Sequence, residues 1–120
     1  MRTENMSKKN EFSVVILTET QGYVHYAAIK EGVKLITRLG KENNFNVTHT
    51  NSSEYLSNKV LKKSDVLIFL CTTLDVLNEK EEERMKKFIQ NGKGYVGIHS
   101  ATDTEYNWGW YGKLVGAYFL

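Results

Sequence analysis

One run constrains this chain more than any other. Val66 to Cys71, VLIFLC, is six apolar residues without a polar interruption. A strand with one wetted face alternates apolar and polar residues, so a run that is apolar throughout needs cover on both faces. The segments on either side of it read as helices, which makes it the central strand of a parallel sheet. The rest of the chain fits around it. Phe12 to Leu17, FSVVIL, is rich in β-branched residues and reads as a first strand. From Tyr26 to Asn43, Ile29, Val33, Leu35, Ile36 and Leu39 recur at helical spacing and predict one face packed on the sheet. Gly40 and the Asn43-Asn44 pair mark its exit. Phe45 to Thr48 reads as a short second strand with His49 just past it. Ser52 or Ser53 suits the cap of a brief helix carrying Tyr55, Leu56, Val60 and Leu61. Asn78 and Glu81 have capping-box spacing at the head of a helix that begins acidic and ends with Lys86 and Lys87. Met85, Phe88 and Ile89 form its buried side, and Gly92 suits its exit. Gly94 to Ile98 reads as a fourth, buried strand.

Strand and helix alternate three times before that last strand. Such alternation means right-handed βαβ units, hence an α/β fold with a doubly wound parallel sheet and helices on both faces. The chain has 120 residues, enough for one domain. Residues 1 to 11 are short of apolar groups and read as a loose tail, with residues 12 to 120 as the domain. Net charge is +2 with Lys and Glu interspersed, against the basic stripe that nucleic-acid binding needs. No apolar run approaches the ~20 residues of a membrane span, and the polar N-terminus has no secretory h-region. The single cysteine, Cys71, excludes an internal disulfide, fits a reducing cytoplasmic setting and reads as a buried apolar residue. The apolar ending LVGAYFL leads us to expect a fragment, with an unpaired sheet edge that favours homo-oligomers.

In a doubly wound sheet the strands' carboxyl ends share one edge, and ligands bind outside it. That edge collects the loops Thr18 to His25, His49 to Ser52, Thr72 to Asp75 and His99 to Glu105. His99 follows the fourth strand directly and suits a general acid or base, or a metal ligand; a turn histidine bonding local backbone is the plain alternative. His25 could face the same pocket or simply start a helix. His49 is read as the end of an edge strand. Asp103 and Glu105 could move protons or bind sugar hydroxyls, and could equally cap a following helix. Thr72, Asp75 and Thr102 could line the edge. Trp108 is the aromatic residue best placed for stacking on a ligand, whereas Trp110, Tyr111, Leu114, Val115 and Tyr118 follow helical spacing and read mostly as core. Gly112 and Gly116, four apart, suggest a close helix contact. Two histidines with a carboxylate could hold a divalent metal, but the spacing matches no local zinc motif, and no metal or other cofactor is expected.

The stretch GYVGIHSATDTEYNWGWYGKLVGAYF, with FLCTTLDVLNEKEEERMKKFIQNGKG before it and GYVH at Gly22 to His25, resembles the ThuA-like, trehalose-utilisation family over residues 13 to 120. The resemblance implies a flavodoxin-like sheet of the class I glutamine amidotransferase type, here truncated to about four strands, since family domains are roughly twice as long. It implies a small-molecule carbohydrate partner, trehalose or a related (keto-)disaccharide. His99, assisted by His25 and by Asp103 or Glu105, would then supply acid/base chemistry. Amidotransferases carry Gly-Ile-Cys at a sharp strand-to-helix turn; Gly97-Ile98 here is followed by His99, and Cys71 ends a different strand. Glutamine hydrolysis needs a thiolate nucleophile, so it is rejected. A non-catalytic carbohydrate-binding module on the same scaffold is the alternative. Flavin electron transfer is disfavoured, because His25 and Tyr26 stand where small residues would cradle a phosphate.

Overall fold

The computed structural model describes residues 11–119. Four strands, β1 (Phe12–Leu17), β2 (Phe45–Thr50), β3 (Val66–Leu70) and β4 (Gly94–Ile98), form one all-parallel sheet in the order β2-β1-β3-β4. The chain reverses direction after β1, running first outward to β2 and then back across to β3, so the strand order changes direction between β1 and β3. This is the doubly wound α/β arrangement, and β1 and β3 are its two inner strands. The tail expected over residues 1 to 11 lies outside the described residues except for Glu11, whose N–H donates to the Asn44 carbonyl at 2.7 Å.

The alternation of side chains along β1 and β3 divides the core in two. Val14, Ile16, Ile68 and Leu70 point to one face, under α1 (Tyr26–Asn43). Val15, Leu17, Leu67 and Phe69 point to the other, under α2 (Asn58–Lys62), α3 (Glu79–Gln90) and α4 (Gly109–Val115). Leu67 and Phe69 are fully buried and Ile68 is 7% exposed, as the uninterrupted apolar run requires. Burying such side chains contributes roughly 1.5–3 kcal/mol each.

Four expectations are corrected. In α1 the packed face is Ile29, Val33, Ile36 and Gly40, while Leu35 and Leu39 are 45% and 38% exposed. Gly40 sets that face: an added Cβ would stand 2.8 Å from the Phe45 carbonyl oxygen, so the last turn lies almost on β2. His49 belongs to β2, which runs to Thr50 and pairs along all six residues of β1. The brief helix is two pieces, a 3-10 turn Ser53–Tyr55 capped by Ser52, and α2 capped by Ser57. Finally, β4 is an outer strand, and Val96 on it is 43% exposed. Gly112 does accept a close neighbour, the Tyr118 ring, but Gly116 serves as a left-handed helix end at φ +85°. The α3 capping box forms as read, with Asn78 and Glu81 exchanging side chain-to-backbone bonds at 2.8 and 2.9 Å.

Candidate functional site

The turn after β4 is built to hold one side chain in an unusual place. His99 has φ +56°, a left-handed conformation that a bulky residue adopts at a cost. The chain then folds straight back as a 3-10 turn, His99–Asp103. Gly97 makes the return possible, because a Cβ there would meet the Tyr95 hydroxyl at 2.8 Å and the Ala101 methyl at 3.1 Å. From below, the Tyr111 hydroxyl donates to the Ala101 carbonyl at 2.7 Å and bonds the Tyr95 hydroxyl at 2.5 Å. Burial pushes both phenols well above their usual range, so they stay neutral and keep these bonds at any ordinary pH.

His25 reaches the same place from the first loop. It is the residue before α1 and makes no side-chain capping bond, which leaves its ring available. The His25 and His99 rings meet edge to face with centroids 4.5 Å apart, and Tyr23 meets His25 at 4.7 Å. Together with Ser100, Thr102, Asp103 and Phe119 they line a cleft of about 440 Å³ at the carboxyl edge. Phe119 is held there by its backbone: its N–H donates to the Thr102 carbonyl at 2.8 Å, and its carbonyl accepts from the Tyr106 hydroxyl at 2.7 Å. The same Tyr106 hydroxyl is also within donating reach of the Asp103 carboxylate, and that contact pushes the phenol up to about 12. The cleft therefore offers imidazole, carboxylate and hydroxyl groups beside aromatic faces, a combination that suits a polyhydroxylated ring. The Ser100 hydroxyl is buried without a hydrogen-bond partner among the described residues.

The structure thus brings His25, His99, Thr102 and Asp103 together and sets four other candidates apart. Glu105 is 1% exposed; one of its carboxylate oxygens accepts from the Val76 and Leu77 N–H groups at 2.6 and 2.9 Å. Burial, followed by the neighbouring Glu82, raises its carboxyl to about 8. Thr72 is fully buried and bonds the Thr104 hydroxyl at 2.9 Å. Asp75 is exposed and accepts from the Asn107 amide at 3.3 Å. Trp108 stacks on Tyr111 and Trp110 against the α3–α4 core, because its place at the start of α4 turns it inward with the other aromatics. Tyr23 and Phe119 are the aromatic residues that line the cleft instead. Tyr23 was within reach of sequence reasoning, two residues before His25 in GYVH. Phe119 was not, because only the fold returns it to the edge.

His49 lies in a separate hollow with Thr18, Glu19, Lys30 and Asn51. Its Nε2 is 2.7 Å from the Thr18 hydroxyl, and burial lowers its pKa. Cys71 is 1% exposed and burial raises its thiol, which removes it from nucleophilic chemistry. Among the described residues no group of three or more His, Cys, Asp and Glu side chains could hold a metal ion. Among them, too, no helix is long and apolar enough to cross a membrane.

Comparison with known proteins agrees with this architecture. A ThuA-like protein from Bacteroides uniformis, known from a crystal structure, superimposes with a TM-score of 0.77 at 22% identity. The match covers 94% of this chain and 46% of that one, so the chain spans about half the length of this neighbour. No curated protein matches. The model of the ThuA family, described as trehalose utilisation, matches residues 13–120. The chain belongs to the ThuA, trehalose-utilisation family.

Proposed function

We propose that this domain acts on trehalose or a related (keto-)disaccharide in the cytoplasm, by acid/base chemistry centred on His99. One observation carries the reading: the elbow after β4 holds His99 at φ +56° with its ring against that of His25, in a cleft shared with Asp103. Imidazoles in contact can hand a proton between a ligand hydroxyl and solvent near neutral pH. Asp103 would accept a sugar hydroxyl, and Tyr23 and Phe119 would cover the apolar face of the ring. Glu105 leaves the acid/base set and becomes a positioning residue.

Trehalose binding measured by calorimetry should weaken at least fivefold in Tyr23→Ala. Tyr23 is 74% exposed, so its removal leaves the fold intact. Unchanged affinity in that variant would place the sugar elsewhere. The second reading, a binding module without turnover, is favoured by the bond that already occupies Asp103. It predicts that His99→Ala leaves trehalose affinity unchanged and that no product forms.

A further inference from the structure

Lysine and arginine are scattered along the sequence, yet the fold gathers some of them. Lys62 of α2, Arg84 and Lys87 of α3, and Lys93 of the following turn line one cleft of about 300 Å³. Asn58 and Asn91 complete its polar rim, and Leu61 and Phe88, each 5% exposed, form its floor. No carboxylate lines it. Glu79, Glu81 and Glu82 sit in the first turn of α3, and the exposed Glu83, although it directly precedes Arg84, does not line the cleft. The cleft faces the opposite end of the molecule from the histidines, since Lys62 and Lys93 lie just before the starts of β3 and β4.

Lys93 is fixed in place. Its ammonium donates to the Ser64 carbonyl at 2.6 Å, stands 3.8 Å from Asp65, and lies 5.7 Å from the centre of the Phe88 ring. The ion pairs found among the described residues leave Lys62, Arg84 and Lys87 without a carboxylate. Like charges held together without a counter-charge raise the local potential and weaken the fold unless an anion binds. Arg84 adds a planar fork that matches a phosphate or carboxylate with paired hydrogen bonds.

We propose that this cleft is a second binding site, for a small phosphate-bearing molecule. Phosphate is favoured over carboxylate because its two negative charges answer the three cations left without a carboxylate better than one would. A small ligand is favoured over a nucleic acid because the cations surround a bounded hollow with an apolar floor, whereas a nucleic acid is met by a stripe along its backbone.

The test uses inorganic pyrophosphate as the probe, with calorimetry at low and at physiological salt. Saturable binding that weakens with salt is expected, and Arg84→Gln combined with Lys87→Gln should weaken it at least tenfold. The imidazole signals of His25 and His99 should not respond. The proposal is overturned if pyrophosphate fails to saturate the protein at low salt, or if the double variant binds it as well as the parent does. Tighter binding of a DNA duplex of arbitrary sequence than of pyrophosphate would also overturn it, assigning the surface to nucleic acid.

Discussion

Replacing Glu105 by alanine should lower the thermal unfolding midpoint by about 10 °C. The Glu105 carboxylate ties the loop after β3 to the loop after β4, through its bonds to the Val76 and Leu77 amides. Around it the Glu105 N–H donates to the Leu74 carbonyl at 3.1 Å, and the Leu74 N–H donates to the Asp103 carbonyl at 2.7 Å. Removing the side chain strands two backbone donors in a dry site, which costs roughly 3 kcal/mol in all. Glu105→Gln keeps an acceptor for both amides and should hold most of that stability. It should also change the pH dependence. The folded carboxyl titrates at about 8, above the ordinary value of 4.5. Between those values the folded protein holds a proton that the unfolded chain releases. The contribution to stability is therefore complete below the ordinary value and is lost as pH rises through about 8. The parent should lose stability over that window and Glu105→Gln should lose less, measured by denaturant titration at several pH values. Parallel profiles would mean that the two amides keep the carboxyl ionised.

His99→Gln should reduce turnover of trehalose or its keto derivative at least 100-fold, since positioned acid/base groups contribute roughly that much or more. The fold supplies a second readout. Because His99 sits at φ +56°, glycine fits that backbone better than histidine does. His99→Gly should leave the unfolding midpoint unchanged or raised while abolishing turnover. Retained turnover in either variant would remove His99 from the chemistry.

What could be read from residue order was whatever depends on near neighbours. The VLIFLC strand, the Asn78–Glu81 cap and the Gly97-Ile98-His99 turn each lie within a few residues; the cap and the turn form where they are read, and the strand forms over Val66–Leu70, with Cys71 just past it at φ +54°. What failed depends on distant cover. Leu35 and Leu39 have helical spacing, but the close seat of Gly40 on β2 turns α1 so that Ile36 faces inward and they do not. Val96 has the side chain of a buried strand, yet β4 lies at the sheet's edge. At the site, His25, His99, Thr102 and Asp103 were legible because all end or follow strands on one edge. Glu105 and Trp108 lie away from the cleft, Glu105 bonded to the Val76 and Leu77 amides and Trp108 stacked on Tyr111. Beyond Thr104 the chain takes a second left-handed residue, Glu105 at φ +51°, which turns its side chain under the loop instead of into the cleft.

The most direct measurement is proton NMR of the three histidine rings during a trehalose titration. The rings of His25 and His99 share the cleft, whereas His49 lies in another hollow bonded to Thr18, which makes it an internal control. The signals of His25 and His99 should move together and saturate at one trehalose concentration while those of His49 stay fixed. If none of the three moves, or if His49 moves alone, the cleft at the elbow is not the sugar site.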